Sequence, residues 1–389
     1  MKRRNFIPYS RQRVIQEDID AVVNVLKSDF LTQGPIIGSF EEKVCKKVDA
    51  DYAVSTNSAT SALHLSCLAL GLKRGDYLWT SPITFVASAN CARYCGADVD
   101  FVDIDENTGL LSINKLKKKL EAAEKAGKLP KILVPVHLTG SSCNMVEIKK
   151  LSDKYKFHII EDASHAIGGK YKNEPVGNCK YSEITIFSFH PVKIITSGEG
   201  GLATTNSKSI YEKLISLRSH GITKDSKKFK KFPNDIWFYE QQDLGLNYRM
   251  TDISAALGLS QLKRLDEIVF ERNRQHLIYK DLFMNTPINI LSIPKEVYSS
   301  FHLQVVQLND KNIKNYQKVF QGLRELGIGV QLHYIPVHTQ PYYQDMGFRE
   351  GMFPISEQYS AKSLSIPLFP GLKEEEQYYI RDKLLGLIS

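Results

Sequence analysis

Lys193 lies in the stretch FSFHPVKIITSGEGG (residues 187–201), between Pro191-Val192 and Ile194-Ile195, just beyond the apolar, β-branched run Ile184-Thr185-Ile186-Phe187. Lysines ordinarily project into water. One set among apolar neighbours past a buried strand is either solvated after all or an amine kept partly desolvated, so that its neutral, nucleophilic form is populated. Other groups could share its chemistry. Asn57-Ser58-Ala59-Thr60 falls where a strand turns into a helix, which makes it either a plain N-cap or a cradle for phosphate. Asp162 closes the strand FHIIE and is either a structural hydrogen-bond acceptor or the partner of a cation. His165, three residues on, is either a core histidine or a neighbour of that carboxylate. Phe85, after Ser81-Pro82-Ile83-Thr84, is either core or a plane on which a flat ring stacks. Ser188 supplies a hydroxyl at a strand end, and His190 reads as structural.

Joined, a phosphate cradle, an aromatic plane, an acid and a desolvated lysine match the needs of pyridoxal 5′-phosphate. That cofactor requires a lysine for its Schiff base and an acid to keep its ring nitrogen protonated.

The elements that must position these groups follow from periodicity. Strands are expected at 53–56, 77–80, 99–103, 131–137, 157–161, 183–188 and 201–205. Helices are expected at 18–29, 40–48, 59–70, 85–94, 113–126 and 145–155, with an irregular LTQGPIIG between the first two. Short apolar strands alternating with amphipathic helices indicate an α/β fold, a mostly parallel sheet covered on both faces. Ligands gather at the carboxyl ends of such strands, where Asn57, Asp162 and Ser188 lie. After about residue 265 the pattern changes. A long polar helix over 266–283 leads to scattered strands at 303–308 and 330–333. This divides the chain into a large domain over 1–265 and a smaller α+β domain over 266–389.

The chain has 389 residues, 42% hydrophobic and 24% charged, with a net charge of +8. That balance suits an anionic small molecule or a polyanion. Part of the positive charge lies in KLKKK (115–119), on a helix face, and part in KDSKKFKK (224–231), in a polar loop, and no nucleic-acid reader motif accompanies it. The six cysteines form no paired CxxC pattern, so no metal is expected. The basic start MKRRNFIPYS is not followed by a signal-peptide core, and no run is long enough to span a bilayer. The expected location is cytoplasmic, with free thiols. No GxGxxG follows the first strand, against a Rossmann dehydrogenase.

Seven segments, NSATSALHL (57–65), SPITFVASAN (81–90), VPVHLTG (134–140), EDASHAIG (161–168), FSFHPVKIITSGEGG (187–201), RSHG (218–221) and GLNYRMTDISAALGLSQL (245–262), together resemble the DegT/StrS family of sugar aminotransferases. These are fold-type I pyridoxal-phosphate enzymes, and the similarity runs from about Pro8 to the C-terminus. The resemblance implies that Lys193 binds the cofactor covalently and shuttles the proton, and that Asp162 pairs with the ring nitrogen. Ala59, Thr60 and Ser188 would hold the phosphate, Phe85 would stack on the ring, and His165 would lie beside it. Asn247 would reach the phosphate from a second subunit, which implies a homodimer with shared sites. LTQG (31–34) and VQLHYIPVH (330–338) resemble the subgroup serving pseudaminic acid synthesis. That subgroup aminates C4 of a UDP-linked 4-keto-6-deoxy-N-acetylhexosamine, with L-glutamate as donor. KIITSGEGG departs from its pattern, which has proline after the lysine. By the same resemblance Tyr9, Asp29, Phe30, Leu31, Thr32, Ala59, Ser188, Asn247, His338, Thr339, Gln340 and Pro341 line the sugar-nucleotide site. The rival readings are another nucleotide-sugar transamination, a dehydratase and a regulator of the same fold. Dehydratase relatives carry histidine in place of the lysine, and a regulator would have lost Lys193 or Asp162; both residues are present.

Overall fold

The computed structural model describes residues 6–231 and 235–388; the basic start of the chain, residues 1–5, lies outside them. The central sheet has seven strands: β1 (Tyr52–Thr56), β2 (Tyr77–Thr80), β3 (Asp98–Phe101), β4 (Ile132–Val134), β5 (His158–Asp162), β6 (Ile184–Ser188) and β7 (Gly201–Thr205). Their order is β1-β7-β6-β5-β4-β2-β3. The sheet is mostly parallel, as the alternation predicts. The exception is β7, antiparallel to both β1 and β6. It returns from the non-helical loop 189–200 directly beside β6, with no crossover helix to reverse its direction.

The helices before and within this region are α1 (Gln16–Leu26), α2 (Pro35–Val48), α3 (Ala59–Ala69), α4 (Ala87–Tyr94), α5 (Ile113–Ala126), α6 (Met145–Tyr155), α7 (Lys208–Arg218), α8 (Asp252–Leu262) and α9 (Leu265–Leu282). They cover both faces of the sheet. Leu63 and Leu65 of α3 and Ala89 and Ala92 of α4 pack on Val54, Leu78, Ile132, Ile160, Ile186 and Ala203. On the other face Leu133 and Ile159 pack with Leu116 and Ile148 of α5 and α6. There too, Ala53, Phe187 and Leu202 meet Phe40 and Ala255 of α2 and α8. Alternation along β5 therefore sends Ile160 and Asp162 to the α3/α4 face and Ile159 and Glu161 to the opposite one.

Several boundaries differ from the sequence reading. LTQGPIIG is irregular only to Gly34. Pro35 starts α2, where its fixed φ and missing N–H suit the first turn. The Asp252 carboxylate, at the start of α8, accepts the Gly34 and Ile36 amides at 2.7 and 3.0 Å. The strand expected over 131–137 stops at Val134, because Pro135 has no N–H to continue the ladder. The strand expected over 330–333 does not form. Only Gln331 bridges Ser365, and its own side chain then accepts the Leu332 amide at 3.1 Å.

A second sheet joins Ile288–Ile290, Gln304–Leu308 and Ser363–Ile366. Its core includes Tyr279, Val306, Leu364, Ile380 and, from the chain's start, Ile7. Leu265 and Val269 of α9 belong to the large sheet's core and Tyr279 to the small one's, so one helix serves both. Val337, Tyr343 and Phe353 pack back against the α3/α4 face. Among the described residues no helix is long and apolar enough to cross a membrane.

Candidate active site

A cavity of about 550 Å³ opens at the carboxyl ends of β1, β5 and β6. It is lined by Ser58, Ala59, Thr60, Phe85, Ser88, Asp162, His165, Ser188 and Lys193, with Tyr9 and the segment Gln331, Leu332, His333 and Tyr334 closing it. The cofactor residues expected from the sequence are thus gathered in one place, except Asn247.

Ser58 caps α3: its Oγ accepts the Ser61 amide at 3.1 Å. The Ala59 and Thr60 amides, at the positive end of the helix, have no intrahelical acceptor. Gly201 keeps the floor of this turn open; a Cβ there would stand 2.3 Å from the Ala59 nitrogen and 2.4 Å from the Ser58 carbonyl. Cap and anion cradle are therefore compatible readings of the same four residues.

Asp162 is buried, and its carboxylate is held on three sides. Ser164 donates its amide and hydroxyl to Oδ1 at 3.1 and 2.6 Å, and Ser88 donates its hydroxyl to Oδ2 at 2.5 Å. Thr84 stands behind Ser88 at 2.7 Å. Ser88 comes from α4 because Asp162 faces that helix across the sheet.

Lys193 sits on the loop between β6 and β7. The Lys193 amide donates to the His190 carbonyl at 2.9 Å, and Ser10, beside Tyr9, donates to the Val192 carbonyl at 3.0 Å. The side chain opens only partly to solvent. Burial pulls its pKa from the ordinary 10.5 to about 8, against the attraction of Asp162. The three buried histidines beside it, His165, His302 and His333, are held towards their neutral form. Burial, with the positive charge of Lys193, lowers His165 well below its usual value and brings His333 down to about 3. His302 is lowered for the same reasons, with His165 adding to the effect. Tyr334 Oη lies 3.1 Å from His165 Nε2, while His165 Nδ1 is buried without a partner among the described residues. Phe85 is 59% exposed and faces the cavity, with its ring 6.2 Å from that of Tyr334. Of its two readings, core is therefore excluded. His190, read as structural, is exposed and lines the cavity.

The DegT/DnrJ/EryC1/StrS aminotransferase family profile matches residues 12–385. The chain belongs to this family. A relative from Campylobacter jejuni subsp. jejuni serotype O:23/36 (strain 81-176), named UDP-4-amino-4,6-dideoxy-N-acetyl-beta-L-altrosamine transaminase, is 37% identical over 98% of each chain. Among solved structures, Helicobacter pylori PseC, an aminotransferase involved in pseudoaminic acid biosynthesis, superposes with TM-score 0.90 at 30% identity over 99% of each chain. Spr1654 of Streptococcus pneumoniae, in its pyridoxal-phosphate form, gives TM-score 0.90 at 27% identity over 98% of each chain. The protein is a pyridoxal-phosphate-dependent sugar aminotransferase with the family's α/β fold.

The cavity fits that cofactor. It offers free amides at a helix N-terminus for the phosphate, a fixed carboxylate, an exposed aromatic face and a desolvated amine. The other residues that the sequence pointed to lie elsewhere. Asn247 is exposed on the segment paired with Ser219 and does not line this chain's cavity. Asp29, Phe30, Leu31 and Thr32 are exposed beside the start of α8, where Thr32 bridges Thr251. His338 is fully buried against Phe101 and Phe353 and bonded to Glu357 at 2.9 Å, so it faces its own core and not the cavity. Thr339 follows it, and Gln340 and Pro341 line a separate surface depression near Arg93. The part of VQLHYIPVH that does reach the cavity is Gln331, Leu332, His333 and Tyr334. The sequence reading named that motif and missed these side chains, along with Ser88, Ser164 and His302. Ser88 stood inside SPITFVASAN, and its place on a helix facing the Asp162 strand was the available signal.

Proposed function

We propose that this aminotransferase moves the amino group of L-glutamate to C4 of UDP-2-acetamido-2,6-dideoxy-β-L-arabino-hexos-4-ulose. The product would be UDP-4-amino-4,6-dideoxy-N-acetyl-β-L-altrosamine, for pseudaminic acid synthesis. The observation that carries this reading is the near-full-length likeness to a transaminase named for that product.

Ala59, Thr60 and Ser188 would hold the cofactor's phosphate, Asp162 its ring nitrogen, Phe85 and His165 its ring, and Lys193 its aldehyde carbon. Pyridoxal phosphate, when bound, supplies an electron sink conjugated to the substrate nitrogen. The chain supplies the rest. The Lys193 amine, with a pKa lowered to about 8, would take a proton from Cα of glutamate and return one at C4 of the sugar. Asp162, fixed by Ser88 and Ser164, stays oriented through both halves. The neutral histidines add no competing positive charge beside the amine.

The active protein in this reading is a homodimer. Asn247, with Asp29, Phe30, Leu31 and Thr32, is exposed in the single chain and would complete a second copy's site. Thr339, Gln340 and Pro341 would join them at the sugar nucleotide.

The test uses purified, cofactor-loaded protein treated with L-glutamate and freed of excess amino acid. The L-arabino 4-keto sugar nucleotide is added to one portion and its D-xylo epimer to another, and amino sugar is counted by mass spectrometry. Product from the L-arabino compound alone is the expected result. Product from the D-xylo compound alone overturns the substrate, and no 2-oxoglutarate in the first stage overturns the donor.

A further inference from the structure

The sheet face opposite the cavity carries a buried ionisable pair that the chemistry above does not use. His137 Nε2 lies 2.8 Å from Glu161 Oε2, and both side chains are buried. The Cys143 backbone N–H donates to His137 Nδ1 at 3.3 Å, so the ring proton is on Nε2 and Glu161 accepts it. Ser182 and Thr185 donate to the other Glu161 oxygen at 2.5 and 3.3 Å. Cys179, whose thiol touches Thr185 and Thr204, is a titratable group beside the carboxylate, and the Cys143 thiol is one beside the imidazole.

Burying such a pair is expensive unless it fixes something. What it spans is the weaker edge of β5. β4 and β5 pair only at Ile132 with His158 and at Leu133 with Ile159. Pro135 then interrupts the ladder, and the strands meet again at a single bridge between Val136 and Asp162. Two backbone bonds make that bridge: Asp162 N–H to the Pro135 carbonyl and His137 N–H to the Asp162 carbonyl, each 3.0 Å. On the other side β6 pairs with β5 as far as Asp162. The catalytic carboxylate therefore stands at the end of a strand paired without interruption along one edge and, along the other, in the same register but without the bond that Pro135 cannot donate. The His137–Glu161 contact crosses this edge one residue from Asp162 on β5 and one from Val136 on the facing segment.

We propose that His137 and Glu161 are positioning residues for Asp162. From the far face of the sheet they fix the register in which its carboxylate enters the cavity. The proposal rests on the pyridoxal-phosphate site and is independent of which sugar the enzyme takes.

The test compares His137→Leu with His137→Gln, whose side-chain amide returns a donor near the place of Nε2, in the full-length, cofactor-loaded protein. Without substrate, the visible absorbance of the bound cofactor is titrated against pH. In His137→Leu the titration is expected to move away from wild type. Its kcat should fall about tenfold or more, as misplacement of a reacting group produces, with the donor KM changed by less than about threefold. His137→Gln should restore both. A merely structural role would lower the melting temperature of His137→Leu but leave the titration, and kcat per cofactor-loaded site, at wild type; that result overturns the proposal. Should His137→Leu fail to fold, Glu161→Gln is read by the same titration, and a wild-type curve there overturns it equally.

Discussion

The depressed pKa of Lys193 has a thermodynamic counterpart that can be measured without any substrate. Burial brings the amine from 10.5 in the unfolded chain to about 8 in the folded one. At about 1.4 kcal/mol per pKa unit, that gap corresponds to about 3 kcal/mol of destabilisation by a charge the fold solvates poorly. The cavity is open to water, which screens the charge, so roughly 1–2 kcal/mol is the working expectation. Below pH about 8 the amine is protonated in both states, so the whole cost is present at pH 7. Between about 8 and 10.5 the unfolded chain binds a proton that the folded chain does not, and stability rises with pH until the cost is gone. Replacing the lysine with an uncharged side chain of similar length, Lys193→Met, should therefore stabilise the apoprotein at pH 7 by roughly 1–2 kcal/mol. The advantage should shrink as the pH is raised through this window. Urea unfolding of both apoproteins at matched concentration, at pH 7 and near 10, reads this directly. A wild-type apoprotein as stable as the variant at pH 7, or a difference that does not shrink with pH, would refute the reasoning and with it the desolvated amine.

Phe85→Ala removes an exposed ring from the cavity wall and should weaken cofactor binding by about 1 kcal/mol, roughly fivefold, with the melting temperature of the apoprotein unchanged. Fluorescence titration with pyridoxal phosphate checks it. Gly201→Ala pushes a methyl group into the Ala59 nitrogen and the Ser58 carbonyl, both backbone atoms that cannot swing aside. It should cost about 1–3 kcal/mol of stability and visibly weaken cofactor retention on gel filtration; unchanged retention would mean that the α3 turn does not hold the phosphate.

The groups legible in the sequence were those set by local pattern. Asp162, Ser188 and the turn at Ser58 stand at the ends of strands whose apolar runs are short and unmistakable, and the order of the elements places those ends on one side of a sheet. Lys193 was legible because its apolar flanks contradict its charge. What stayed hidden depends on distant contacts. Tyr334 meets His165 across 169 positions of chain, and nothing in either neighbourhood announces the meeting. The segment 330–333 has a strand's composition, yet its one bridge to Ser365 ends when Gln331 turns its own amide on the backbone. Phe85 was undecided for the opposite reason: composition cannot tell a ring in the core from one facing a cavity, and only its 59% exposure does. The direction of β7 follows from loop 189–200, which forms no crossover helix of the kind that strand–helix alternation assumes.

That antiparallel β7 also sets an order of assembly. Its two neighbours differ greatly in distance along the chain: Ser188 of β6 pairs with Gly201, while Thr56 of β1 pairs with the same glycine from about 145 residues away. The hairpin that carries Lys193 can close as soon as it leaves the ribosome, because the loop entropy it must overcome is small. The turn at Ser58 is synthesised long before, but it acquires the floor beneath it only when Gly201 arrives and β1 docks on β7. The strap that carries Lys193 is thus an early, self-contained piece of the nascent chain, and the turn proposed to seat the phosphate is completed late. A nascent chain stopped short of β7 would hold the Ser58 turn without its floor and Lys193 without its hairpin.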